Sequence, residues 1–247
     1  MTNNHINKIL ITTLLLLVIL NLYSEKLYFD IEYVGISVAK VEFEKTNNEI
    51  QIKAKSGKLA NFFSISFDNR YYIKCDDIFR PIEYTKAINQ KKFLENSVIV
   101  YNHQNLNSEY YCSTSDIYLK YPITETTRDF FSALYYLRNN NLSNNFHIDA
   151  AGILWDIQSE FVNQEIINTA IGKLDVNKIM IRFKKLNPDK YHLNTQKLKS
   201  DILTNNLVNE DNLLYFWFTN DEKKIPVKAQ YLMSPFNVNW TIQKIED

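Results

Sequence analysis

Leu27-Tyr28-Phe29-Asp30-Ile31-Glu32-Tyr33 sets Leu27, Phe29, Ile31 and Tyr33 on one side of the chain and Tyr28, Asp30 and Glu32 on the other. Successive side chains of an extended strand point to opposite faces, so this period of two predicts a strand with one buried and one wet face. Gly35 interrupts the alternation, and 36–44 resumes it with Ala39, Val41 and Phe43 inward. The two runs read as a hairpin, or a sharp bend, at Gly35. A turn at Asn47-Asn48 and a third strand through Ile50, Ile52 and Ala54 follow. The segment 59–67 has mixed periodicity and admits a short helix.

Working outward, further strand-like runs occupy 70–75, 82–88, 97–101 and 109–112. Their connections are too short for parallel crossovers, so an antiparallel meander is expected. Thr126, followed by Asp129, has capping-box spacing, and Phe130, Phe131, Leu134, Tyr135 and Leu137 recur every three to four residues. This predicts a helix over 127–138, ended by Asn139-Asn140-Asn141 through a left-handed cap. Strand patterning returns at 146–150, 153–161, 165–171 and 174–184. A polar excursion at 187–212 precedes three strong strands at 213–218, 225–232 and 238–245. The expected fold is mainly β: a single antiparallel, strongly curved sheet or open barrel with one main helix on its concave face. One β-rich domain is expected over 25–247.

The first 24 residues read as an address. One lysine, Lys8, precedes 14 mostly apolar residues from Ile9 to Leu22. A spanning helix needs about 20 apolar residues. The length instead matches the core of a secretory leader, with cleavage after Ser24; the alternative is an uncleaved N-terminal anchor. The expected location is therefore the periplasm or the extracellular space, with no stable transmembrane anchor. The 28 basic residues balance 28 acidic ones, and five of the basic residues are Arg, which argues against nucleic acid as a partner. The chain contains 34 aromatic residues and 30 Asn but only four Gly. Aromatics favour strands, although an A/T-rich coding sequence produces the same bias.

Chemistry-bearing residues do not form a catalytic signature. His5, His103, His147 and His192 are dispersed, without the close spacing of metal ligands. Asp76 and Asp77 are adjacent and would point to opposite faces of a strand. Ser132 has no elbow glycines. Asp129 and Arg138 admit pairing with each other or with polar groups of the sheet. Asp221 is expected to order a tight turn, and Pro226 suits an edge or first strand position. In Tyr215-Phe216-Trp217-Phe218 both strand faces are aromatic, so both are expected to be covered. Phe130, Leu134, Tyr215 and Trp217 are the candidate ligand-wall or core residues. Cys75 and Cys112 admit either a disulfide, which export would permit, or two buried thiols. No catalytic residue, cofactor or metal ligand is expected.

Three stretches resemble motifs of the domain of unknown function 3108 family. They are the first hairpin from Leu27 to Ala39, the segment from Thr127 to Arg138, and the run from Leu214 to Lys228, which is the most specific. The resemblance runs over 26–245, departing at Ser234-Pro235-Phe236, where a Gly-containing turn would be expected. It implies an exported bacterial envelope protein without established activity, its pattern similar to open-barrel carriers. Two non-enzymatic readings follow: a binder or carrier of an apolar small molecule or lipid, and a module that recognises another envelope protein with its core filled. A hydrolase ranks third. The first two separate on whether the interior leaves an apolar void of about 300 Å³ or more.

Overall fold

The computed structural model describes residues 24–63, 66–91, 93–150, 152–186, 201, 203–204, 207–233 and 236–247. Residues 1–23, on which the expected leader falls, residues 187–200 of the polar excursion, and Ser234-Pro235 lie outside them. The first three strands are β1 (Ser24–Tyr33), β2 (Ile36–Thr46) and β3 (Glu49–Ser56), followed by a 3-10 turn at Lys58–Phe63. Next come β4 (Asp68–Cys75), β5 (Pro81–Gln90), β6 (Phe93–Asn102), β7 (Asn107–Cys112), β8 (Ile117–Pro122) and β9 (Thr127–Arg128). The helix α1 (Phe130–Asn139) leads to β10 (Asn145–Ala150), β11 (Ile153–Thr169) and β12 (Gly172–Lys185). The chain closes with β13 (Leu213–Thr219), β14 (Pro226–Met233) and β15 (Phe236–Glu246).

All fifteen strands belong to one sheet in the order β8-β7-β6-β5-β4-β3-β2-β1-β15-β14-β13-β12-β11-β10-β9. Each strand lies beside its neighbours in sequence except where β8 and β9 part, and β1 and β15 pair to join the two meanders. The decisive alternation holds: Leu27, Phe29 and Ile31 are buried, and Val34 and Gly35 turn the first hairpin with φ of 54° and 73°. A bulge between Ile31 and Glu32 accompanies the burial of two consecutive residues, Val38 and Ala39.

Four expectations need correction. The sheet is mixed, because β9 pairs with β10 in parallel; α1 lies between them and supplies the crossover that parallel pairing requires. The runs at 153–161 and 165–171 are one long strand up to Thr169, with a register shift between Phe161 and Asn163. The extra residue at that bulge reverses the phase of alternation, which imitates a strand break. The edge strand β8 escaped the periodicity reading, and so did the two-residue β9.

The helix boundaries are the fourth correction. The N-cap is Asp129, not Thr126: its carboxylate accepts from the Phe131 and Ser132 amides at 2.9 and 3.1 Å. Asn140 ends the helix in extended backbone at φ −126°, not in a left-handed cap. The Asn139 and Asn140 side chains instead donate to the Tyr135 and Tyr136 carbonyls at 2.8 and 2.9 Å. Alanine at Asp129 is expected to cost about 1–2 kcal/mol in urea unfolding, and asparagine much less, because Asn caps as well as Asp. Equal losses for the two variants would refute the capping role.

Candidate functional site

Seven of the ten helix residues are buried. The Phe131 ring packs edge-on against Phe43 of β2 at 5.7 Å and at a tilt against Tyr71 of β4 at 5.0 Å. Phe130 and Leu134 share a cavity of about 40 Å³ with Leu27, Phe43, Phe216 and Trp240. A second gap of about 20 Å³ lies between Ala133, Leu137 and residues Ile148, Ile157 and Ile181 of β10 to β12. One short helix thus touches strands from both meanders.

Of the four candidate wall residues, Phe130 and Leu134 line this interior, whereas Tyr215 and Trp217 do not. Along β13 it is Leu214 and Phe216 that face the cavity. Tyr215 and Trp217 point to the opposite face, where the Lys178 ammonium lies 4.6 and 4.9 Å from their ring centres and Lys228 covers Trp217 at 4.6 Å. Trp217 Nε1 donates to Glu165 at 2.6 Å. On this outer face Trp217 is buried and Tyr215 half-buried, with lysine ammoniums over both rings.

Beside the apolar interior runs a buried polar network that sequence patterning missed. Lys86 of β5 and Asp201 are both almost fully buried, with Nζ and Oδ2 3.1 Å apart. Asp201 also accepts from Tyr71 Oη at 2.7 Å, Thr204 Oγ1 at 2.6 Å and the Leu203 amide at 3.2 Å. Burial alone would lower the Lys86 pKa, but Asp201 and Glu95 outweigh it and raise the value, so the ammonium stays charged. Glu95 accepts from Ser97 at 2.5 Å and Tyr110 at 3.2 Å. Asp149 of β10 accepts from Tyr101 Oη of β6 at 3.0 Å and Tyr121 Oη of β8 at 2.6 Å. Burial raises the Asp149 carboxyl and drives the phenols of Tyr71, Tyr101 and Tyr121 well up, so these phenols remain donors.

Part of this network was legible. In the run 82–88, Lys86 falls on the same face as Tyr84 and Ile88, and Glu95 shares a face with Ser97 and Ile99. A charge on an inward face signals a buried partner. No local pattern points to Asp201 as that partner, 115 residues away. The network's donors and acceptors meet one another, which suits them to fixing chain segments in place.

The remaining candidates have structural partners. Arg138 forms a two-pronged pair with Glu25 of β1 at 2.6 and 2.8 Å and does not pair with Asp129. Asp221 accepts from Thr219 Oγ1 at 2.7 Å and the Lys224 amide at 3.0 Å, which orders the turn before Pro226, the first residue of β14. Asp76 accepts from the Ile78 and Arg80 amides and from Arg80 Nε. Ser132 Oγ donates to the Asp129 carbonyl. His147 Nδ1 meets Thr124 and Thr126, while His192 lies outside the described residues. Among the described residues no group of three or more His, Cys, Asp or Glu is placed to hold a metal ion.

Of the two readings of the cysteines, the geometry matches two buried thiols. Cys75 and Cys112 are free and buried, on β4 and β7, with β5 and β6 between them. Three strand spacings of about 4.8 Å exceed the 4.4–6.8 Å that a disulfide allows between Cα atoms. Burial also drives the Cys75 thiol far up, which makes it a poor nucleophile. Thiol titration of non-reduced protein should count two thiols in denaturant, with Cys75 silent in native buffer. A count of zero in denaturant would refute the separation.

The model of DUF3108, a protein family of unknown function, matches residues 26–237. The chain belongs to this family. No curated protein is significantly similar to it. Among solved structures, the DUF1849 β-barrel-like protein from Brucella abortus superposes with a TM-score of 0.57 at 9% identity, covering 92% of this chain and 98% of its own. An exported protein with a YmcC-like fold from Bacteroides fragilis reaches a TM-score of 0.32 at 8% identity, covering 92% and 97% of the two chains. A lipoprotein from Parabacteroides distasonis reaches 0.32 at 9%, covering 92% and 96%. By TM-score only the Brucella likeness bears on this DUF3108 chain, and at 9% identity it bears on fold alone. Among the described residues no helix is long and apolar enough to cross a membrane.

Proposed function

We propose that this DUF3108 protein is an exported, non-catalytic protein of the bacterial envelope that acts by recognising a partner protein, with its interior closed to ligands. In this reading the sheet curls around α1 as an open barrel. The Tyr121–Asp149 hydrogen bond supports the curl: laid flat at about 4.8 Å per strand, β8 and β10 would lie about 60 Å apart, yet these side chains are 2.6 Å apart. The single observation that carries the functional reading is the filled core. The apolar cavity measures about 40 Å³, against the roughly 300 Å³ or more of ordinary ligand pockets. Two larger recesses, about 370 and 200 Å³, have charged residues in their walls, among them Asp68 and Arg70 in one and Lys45 and Glu222 in the other. The outer face of β5 to β8 offers a recognition surface, exposing Ile82, Val100, Tyr111 and Tyr118.

Native mass spectrometry of protein purified without detergent tests this. The expected spectrum shows the bare chain, shortened by the leader, and no uptake of added fatty acid. A co-purified lipid, or stoichiometric uptake by the wild-type protein, would replace this reading with that of a carrier.

A further inference from the structure

The recess of about 200 Å³ that holds Lys45 and Glu222 is bounded by the start of β1, the end of β2, the last turn of α1 and the turn before β14. Several of its polar groups are matched. Arg138 and Glu25 hold each other through two hydrogen bonds, and Arg138 also donates to the Lys223 carbonyl. The Lys223 ammonium meets Asp247 at 2.7 Å. Two groups differ. The Lys45 ammonium donates to the Asn47 carbonyl at 3.0 Å and forms no ion pair among the described residues. Tyr135 is 3% exposed, yet its hydroxyl has no hydrogen-bond partner among the described residues. Ring contacts hold both groups in this wall: Lys45 Nζ lies 5.6 Å from the Phe79 ring centre, Phe79 stacks on Tyr135 at 6.0 Å, and the Arg138 guanidinium lies 5.3 Å from the Tyr135 ring centre.

The charges that act on the Tyr135 phenol belong to Glu25 and Arg138, both in the recess wall, so the hydroxyl lies on that side. Burial lowers the Lys45 pKa by more than Glu25 raises it, and Arg138 adds to the lowering. The ammonium is short of negative charge and the phenol short of an acceptor. Buried polar groups are as a rule paired, so this combination marks a place for an acceptor that the chain itself does not supply. We propose that the recess binds a carboxylate, with Lys45 as its counter-ion and Tyr135 as a hydrogen-bond donor. A carboxylate suits these walls better than a phosphate dianion. Glu25 and Glu222 repel a second negative charge, and the Arg138 fork, the usual holder of phosphate, is engaged by Glu25. A free small acid and the C-terminus of a peptide present this same group. The proposal goes beyond the recognition surface on β5 to β8 and stands or falls without it.

Backbone amide shifts of isotope-labelled protein test it, with sodium acetate, acetyl-alanyl-alanine and inorganic phosphate titrated at constant ionic strength. Acetate or the peptide should shift the Lys45 and Asn139 amides to saturation, and the tighter of the two identifies the source. Lys45→Met should weaken that binding about tenfold or more, the effect of losing a charge-assisted hydrogen bond, and Tyr135→Phe about two- to tenfold. Without probe, Tyr135→Phe should melt no lower than wild type, because its hydroxyl gives up no bond. If Lys45→Met does not fold, Tyr135→Phe carries the test. The proposal is overturned if neither carboxylate saturates, if phosphate binds more tightly than both, or if the variants bind as well as wild type. A lower melting temperature for Tyr135→Phe overturns it too, since the hydroxyl would then already have its partner within the chain.

Discussion

Alanine in place of Asp201 is expected to destabilise the protein by about 3–5 kcal/mol, because it leaves the Lys86 ammonium buried without its partner. The pair is 4% and 0% exposed, so water cannot compensate for the loss. Tyr71 and Thr204 lose their acceptor at the same time. The double variant Lys86→Met/Asp201→Leu should recover most of the loss, since apolar groups of similar size commonly replace a buried ion pair without penalty. Urea unfolding of the single and double variants measures the difference. A double variant as unstable as Asp201→Ala would show that the hydroxyl network, not the ion pair, sets the cost. Lys86 has a folded pKa raised above its usual 10.5. Its contribution is therefore fully present below pH 10.5 and is lost as pH rises through the folded value. Wild-type stability should fall in that alkaline window, and the double variant should lack this component.

Arginine at Leu134 is the second large effect. Leu134 is buried against the Phe130 and Phe216 side of the cavity, which at about 40 Å³ is too small for a guanidinium and its water. Losing the leucine contacts costs about 2–5 kcal/mol, and an unpaired buried charge adds several more. The sum approaches the whole stability of a domain, typically 5–15 kcal/mol. Circular dichroism should find the variant unfolded or molten at room temperature. A cooperative melt within a few degrees of wild type would mean that the helix presents this face to solvent.

Tyr136 provides the comparison on the other side of α1, and here the structure departs from the helical-stripe reading. A residue off the stripe would be expected to face water and to tolerate change. Tyr136 instead stacks under the Arg128 guanidinium at 3.6 Å, packs edge-on against Phe146 at 5.5 Å, and accepts from Asn144 at 2.9 Å. Tyr136→Ala should therefore cost about 1–3 kcal/mol, from the lost cation–π and aromatic contacts. A loss below 0.5 kcal/mol in urea unfolding, the usual range for an exposed site, would restore the solvent-facing reading.

Local alternation by itself determined that the chain is mainly β, where most strands run, and that one helix sits near its middle. Leu27, Phe29 and Ile31 reveal their buried face because a strand's side-chain period is an inherent property of extended backbone. Lys86 and Glu95 were legible as inward charges for the same reason. Only the tertiary structure decided which groups they meet. It also decided that Asp129 caps the helix, that β9 pairs in parallel, and that Cys75 and Cys112 stay apart. It set Phe216, not Trp217, at the cavity, and it brought Asp201 to Lys86. Each of these depends on which distant segment comes within a few ångströms, and that is fixed by the packing of the whole chain, not by a few neighbouring residues.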